Sequence, residues 1–196
     1  MKAYYHARAR EYDDWWLGRG VYGKKRPPGW DEERAELFES WIADLPPAHT
    51  LDVACGTGFL TRHLRGDVVG LDQSDAMIDV ARERLPGVRF VQSDALRLPF
   101  PDHFFDRVFT SYFYCHLEET ERHRFLDEAR RVAQELVVVG SRLQPGEVAE
   151  RWDNRVLNDG SRWQVFKRVF VPEELARELG GRVLHESRYF VMVAAP

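Results

Sequence analysis

The sequence predicts a three-layer α/β sandwich built on a seven-stranded, mostly parallel sheet that finishes in an antiparallel C-terminal hairpin strand. Three observations carry this. A short apolar strand runs straight into a side-chain-poor turn and then a helix-compatible run, over Thr50 to Leu64. Strand and helix signals then alternate, the pattern of right-handed crossovers between parallel strands. Two short apolar runs separated by a tight turn, Arg182 to Glu186 and Tyr189 to Ala194, close the chain.

Taken in order, residues 2–17 place Tyr4, Tyr5, Tyr12, Trp15 and Trp16 among alternating charges, compatible with an amphipathic helix. Gly18 to Gly29 reads as a loop, with Gly20, Gly23, Pro27 and Pro28. Asp31 is the expected N-cap of a helix with Leu37, Phe38, Trp41, Ile42 and Leu45 on one face, ended by Pro46-Pro47. The first strand and glycine turn follow as Thr50-Leu51-Asp52-Val53-Ala54-Cys55-Gly56-Thr57-Gly58, with a helix over Phe59 to Leu64. Glycine suits such a turn because it tolerates φ > 0 and lets a ligand lie against the backbone. Asp67 to Asp72 is a second strand ending in an acid, about 20 residues beyond Asp52, the offset at which a ribose-binding carboxylate is expected. Ser74 caps a helix through Leu85, which puts Met77 in its first turn, close to Asp72.

Pro86-Gly87 breaks that helix, and Val88 to Gln92 forms a third strand. Phe105 to Thr110 is the fourth, opening into Ser111-Tyr112-Phe113-Tyr114-Cys115-His116 at the carboxyl edge of the sheet, where α/β proteins do their chemistry. A helix over Glu118 to Ala133 turns Phe125, Leu126, Ala129 and Val132 inward, and Glu135 to Gly140 is an apolar, central strand. Residues 142–171 show no clear period; their Trp152, Trp163, Phe166 and Phe170, with Arg151, Arg155, Arg162, Lys167 and Arg168, suggest an excursion over a pocket mouth. A solvated basic face is the simpler reading of those cations. Pro172 starts a helix and Gly180 ends it.

With 196 residues, 44% hydrophobic and 31% charged, the chain suits one soluble domain, 1–196. A net charge of −4 provides no global basic field for nucleic acid. No apolar run approaches the ~20 residues that span a membrane, and Met1 to Arg10 has no apolar leader core. Cys55 and Cys115 have no ligand spacing, and His49, His63, His103 and His123 fall in expected loops and helices, so no metal site is readable and a reduced cytoplasm is expected. Oligomeric state is not legible. The abundance of aromatics leaves some for a pocket that takes an aromatic or apolar organic molecule.

The glycine turn departs from the dinucleotide fingerprint: Ala54 stands at its first glycine position and Thr61 at its third, which disfavours a pyrophosphate ligand and leaves room for a smaller adenosine compound. Leu51 to Gly58 instead resembles the first motif of class I S-adenosylmethionine-dependent methyltransferases. The likeness is greatest to the small-molecule branch that includes the menaquinone and ubiquinone biosynthesis methyltransferases. It implies a Rossmann-like fold, S-adenosyl-L-methionine as cofactor, S-adenosyl-L-homocysteine as product, and O-, N- or C-methylation of a small acceptor by in-line displacement. It also implies that residues 1–30 form a lid, with Tyr5 and the Tyr12-Asp13 pair at its cofactor-facing positions, against the alternative of a helix that packs its aromatics on the core, and that 142–171 lies on the substrate side.

By the same resemblance Ala54, Gly56 and Gly58 contribute backbone to the cofactor and Asp72 and Gln73 meet its ribose side, while Met77 either covers one face of the adenine or packs in the core. Asp94 and Ala95, in Ser93 to Phe100, would recognise the adenine edge. Ser111 lines the pocket. Asp52 either reaches the cofactor's amino group through the loop or braces the turn, and Asp94 is otherwise an ordinary turn aspartate. His116 and Tyr112, with Tyr114 third, are the candidate bases or orienters, His116 because imidazole titrates near neutral pH; capping or packing against the following helix is its structural alternative. The competing functions are a nicotinamide-dependent oxidoreductase, a nucleic-acid or protein methyltransferase and a non-catalytic cofactor-binding module. Thr61 and the C-terminal hairpin oppose the first, and Ser111-Tyr112-Phe113-Tyr114, which lacks a proline, opposes the second.

Overall fold

The computed structural model describes residues 2–20 and 26–196. Its sheet contains β1 (Ala48–Val53), β2 (Gly66–Asp72), β3 (Arg89–Gln92), β4 (Phe105–Ser111), β5 (Ala133–Ser141), β8 (Arg182–Glu186) and β9 (Phe190–Ala195), in the order β3-β2-β1-β4-β5-β9-β8. The β1–β2, β2–β3, β1–β4 and β4–β5 pairs are parallel, and β9 runs antiparallel to both β5 and β8. Strand order reverses between β1 and β4, so their carboxyl ends diverge into a crevice, the place where open α/β sheets bind ligands.

Helices cover both faces: α3 (Trp30–Glu36), α4 (Asp75–Arg84), α5 (Glu119–Val132) and α6 (Pro172–Leu179). Successive β5 residues serve opposite cores. Leu136 and Val138 join Phe125, Val132 and Leu179 on one side, while Val137 and Val139 join Leu37, Phe38 and Ile42 on the other. A strand buried on both faces has to be apolar throughout. The caps behave as their residues dictate. Ser74 Oγ accepts from Met77 N to start α4, Glu118 and Glu121 form a capping box on α5, and Gly180 ends α6 in the left-handed region at φ 70°.

Several expectations are corrected. The N-terminal run is α1 (Lys2–Arg8), a 3₁₀ turn at Ala9–Glu11 and α2 (Asp14–Leu17), because Tyr12 and Asp13 turn inward to meet the glycine loop. The part of the expected Gly18–Gly29 loop at 21–25, Gly23 included, lies outside the described residues. Helix α3 begins at Trp30 after Gly29, and Asp31 sits in its first turn, where it pairs with Arg26 and Arg34 rather than capping. The helix continues as a π-helical stretch over Leu37–Ile42. The helix expected over Phe59 to Leu64 reduces to a 3₁₀ turn at Thr61–His63, since β2 begins at Gly66 and leaves no length for more. His49 lies in β1.

The unreadable stretch forms a separate hairpin, β6 (Glu150–Val156) with β7 (Arg162–Arg168). Residues Asn158-Asp159-Gly160 turn it, with Gly160 at φ 84°. Turn chemistry of that kind between runs of alternating exposure is a hairpin signal.

Candidate functional site: two cavities joined at the carboxyl edge

Two strand ends shape the site. Ala54 follows β1 at φ 58° and Tyr112 follows β4 at φ 55°, a backbone region that side chains occupy at some cost. Backbone bonds hold both turns: Cys55 N donates to Leu71 O, and Tyr112 N to Val139 O, each at 3.0 Å. Between and above them lies a cavity of about 380 Å³, within the range of small-molecule sites.

The glycine-loop edge of that cavity is lined by Ala54, Gly56, Asp72 and Gln73. A Cβ on Gly56, which sits at φ 56°, would face the Tyr12 ring at 3.4 Å, so the bare backbone forms a cradle there. Asp72 is buried and oriented by the backbone: its Oδ2 accepts from Gly56 N at 3.0 Å and its Oδ1 from Ser74 N at 2.8 Å. Burial raises its pKa, against the three N–H groups of Ser74, Gly56 and Gln73. The opposite edge comprises Met77, Asp94, Ala95 and Leu96. Asp94 is both a turn residue and a rim residue, since its Oδ1 accepts from Leu96 N at 2.9 Å. Ser111, Tyr112 and His116 line the floor, and Tyr5 and Tyr12 the N-terminal side.

Two expected contacts fall outside this lining. Asp52 lies beneath the loop, 1% exposed, with its Oδ2 accepting from Thr61 Oγ1 at 2.6 Å; it braces the turn. Thr61 therefore supplies a hydroxyl where a dinucleotide fold has glycine. Burial lifts the Asp52 carboxyl to about 7, with Thr61 opposing and Asp72 adding. Gly58 faces α4: at φ 70°, a Cβ there would meet Leu85 Cδ1 at 3.3 Å and Ala81 Cβ at 3.4 Å. Its bareness serves packing.

His116 sits in a 3₁₀ turn, Tyr114–His116, and its ring reaches the hairpin rather than α5. Nδ1–H donates to Phe166 O at 2.6 Å, so the tautomer of the uncharged ring that fits carries its lone pair on Nε2. Tyr112 is 8% exposed, and burial pushes its phenol well above the usual range. Tyr5 and Tyr12 are raised in the same way, so all three stay neutral.

Sequence reasoning did not find the bonds that fasten the N-terminal segment. Asp13 Oδ1 accepts from Thr57 Oγ1 at 2.6 Å, and its Oδ2 pairs with Arg84. Arg84 also donates to Thr57 O at 2.7 Å and to Thr57 Oγ1 at 2.9 Å. On the other side, Asn158 N in the hairpin turn donates to Glu11 Oε2 at 2.9 Å. These pairs span 44, 71, 27 and 147 positions, so no local pattern announces them.

A second cavity, of about 330 Å³, lies alongside. It shares Tyr5, Tyr12, Tyr112 and His116 with the first, and Trp15, Trp30, Tyr189 and Phe190 supply its aromatic wall. Arg151, Arg155 and Lys167 from the hairpin also line it, so these cations are not simply a solvated outer face. No helix among the described residues is long and apolar enough to cross a membrane.

A family model described as a methyltransferase domain matches residues 51–136. The chain is 28% identical over 172 residues to an uncharacterised methyltransferase of Oceanobacillus iheyensis, covering 85% of this chain and 76% of that protein. It is 34% identical over 109 residues to the demethylmenaquinone methyltransferase of Thermotoga maritima, covering 53% of this chain but only 47% of that protein's length. Among solved structures, the DhpI-SAM-HEP complex superposes with a TM-score of 0.77 at 27% identity, covering 99% of this chain and 95% of the other. A DhpI-SAH complex does so with 0.76, also at 27%. The reversing sheet with its antiparallel β9, the glycine cradle beside Asp72 and these matches together identify an S-adenosylmethionine-dependent methyltransferase domain.

Proposed function

We propose that the chain methylates a small organic acceptor lodged in the second cavity, with the cofactor in the first. The carrying observation is that the two cavities meet at one wall, made of Tyr5, Tyr12, Tyr112 and His116. The first cavity suits the cofactor chemically: a backbone cradle at Ala54 and Gly56 and a fixed carboxylate at Asp72 stand on one side. Apolar Met77 and Leu96, with Asp94 and Ala95, stand on the other. These residues, with Gln73 and Ser111, would hold it. S-adenosylmethionine when bound supplies a methyl group already activated by its sulfonium.

The remaining work is orientation and exclusion of water, effects that lower a barrier by roughly 7–11 kcal/mol. Tyr5 and Tyr12 seal the wall from the N-terminal side, so residues 2–20 act as a lid latched through Asp13, Thr57 and Arg84. Residues 142–171 close the acceptor side. His116, its Nδ1 held by Phe166, presents Nε2 to orient the nucleophile and to accept its proton where it carries one. Tyr112 shapes the floor beside it.

The test is a thermal-shift titration with S-adenosylmethionine, S-adenosylhomocysteine and NAD, followed by acceptor screening for release of S-adenosylhomocysteine. A ligand at a hundred times its Kd adds about 2.7 kcal/mol of stability. A shift with the two sulfur compounds alone supports the reading. Stabilisation by NAD instead, or by none of the three, overturns it.

A further inference from the structure

Lys167, in the second cavity, carries a charge that methyl transfer leaves unused. It extends from β7, is 8% exposed, and among the described residues no carboxylate lies within ion-pair distance of its Nζ. Its neighbours are Ser141 Oγ at 3.5 Å, Cys115 Sγ at 3.6 Å and the Tyr112 ring, whose centroid is 5.3 Å away. An ammonium stripped of water and left without a carboxylate is costly to fold, so a position of this kind calls for an anion.

Cys115 meets part of that demand. Burial pushes its thiol up, but His116 and Lys167 outweigh burial and bring it to about 6. The sulfur is 1% exposed and lines neither of these two cavities, so it leaves the cavity side of Lys167 to a ligand. The other hairpin and strand cations are already engaged: Arg151 with Asp153 at 3.0 Å, Arg155 with Asp153 at 2.7 Å, and Arg142 with Glu186 at 3.6 Å. The N-terminal segment contributes Arg8 to the same lining, also 8% exposed, donating to Tyr4 OH at 2.9 Å and lying 5.0 Å from the Tyr12 ring centroid. One carboxylate, Glu147, lines the same space and is turned to Arg151 at 3.7 Å.

We infer that the acceptor carries an oxyanion, a carboxylate or a phosphate, that docks on Lys167 and so sets the acceptor's register. This inference rests on the second cavity being the acceptor site. Lys167 neighbours Cys115 and Tyr112, so the docked group lies close to the wall that both cavities share. The aromatic wall takes the acceptor's apolar body. A compact ammonium fixes one oxyanion as a point charge, without the planar fork that an arginine would impose.

The test uses the full chain and four probes of similar shape: benzoate and phenyl phosphate as acids, benzamide as the neutral control and benzylamine as the cationic one. Each is titrated by calorimetry with and without saturating S-adenosylhomocysteine, at two salt concentrations. Either acid or both should bind more tightly than the controls, more weakly at high salt, and the preferred acid identifies the docking group. Lys167→Gln should weaken acid binding at least tenfold while the Kd of S-adenosylhomocysteine moves less than twofold, and Lys167→Arg should retain part of it. Equal binding of amide or amine, no binding of either acid, or unchanged acid affinity in Lys167→Gln overturns the proposal and leaves Lys167 as a structural partner of Cys115. Should Lys167→Gln not fold, Lys167→Arg and the acid-over-amide preference of the unmodified chain decide. Failure to bind S-adenosylhomocysteine would count against the cofactor reading instead, because the acid titrations without it are read independently.

Discussion

Asp52→Asn should turn a pH-dependent stability into a flat one. The carboxyl is 1% exposed; Oδ2 accepts one hydrogen bond from Thr61, and Oδ1 has no hydrogen-bond partner. Burial, with a smaller contribution from Asp72, raises its pKa from 3.8 to about 7. The folded-state pKa exceeds the unfolded one, so the stability this group contributes is complete below about 3.8 and is lost as pH rises through about 7. A shift of about three units corresponds to roughly 4 kcal/mol. Asparagine has the same shape, cannot ionise, and keeps an oxygen for the Thr61 hydroxyl. Urea unfolding of both proteins at pH 4, 5, 6, 7 and 8 gives the difference in ΔG, from which other titrating groups cancel. Relative to the wild type, Asp52→Asn should gain roughly 4 kcal/mol between pH 4 and 8, most of it by pH 7. A difference that stays constant across that range refutes the argument that burial dominates this carboxyl.

Gly56→Val places a β-branched side chain at φ 56° beneath Tyr12; it should cost about 1–2 kcal/mol of stability and more than tenfold in S-adenosylhomocysteine affinity, measured by calorimetry. Arg84→Ala removes the bonds to Thr57 and Asp13; it should cost roughly 1–3 kcal/mol locally, speed proteolysis of the N-terminal segment and weaken the cofactor several-fold. An unchanged cleavage rate would show that the latch does not hold that segment. His116→Ala should cut turnover by roughly a hundredfold or more with little change in S-adenosylhomocysteine Kd, and unchanged turnover would remove His116 from the chemistry.

Local chemistry made much of this protein legible from its residues alone. A strand that ends in small residues, a glycine that tolerates positive φ, an acid at the next strand tip and a serine cap each act within a few positions. Thr50 to Gly58, Asp72, Ser74 and the α5 stripe are therefore readable in isolation, as is the sheet that alternation implies. What the tertiary structure decided is which side of each local element faces the ligand. Asp52 and Gly58 belong to the same motif as Ala54 and Gly56, yet packing against Thr61 and α4 turns them away from the cavity. Tyr12 enters because Asp13 is fastened to Arg84, 71 positions away. The hairpin cations line a cavity that the sequence did not reveal because β6 and β7, part-exposed and mixing charged with apolar side chains on both faces, give no clean apolar face to show their orientation. Periodicity and turn chemistry decide backbone conformation over a few residues, whereas the direction a polar side chain takes depends on partners that only the folded chain brings near.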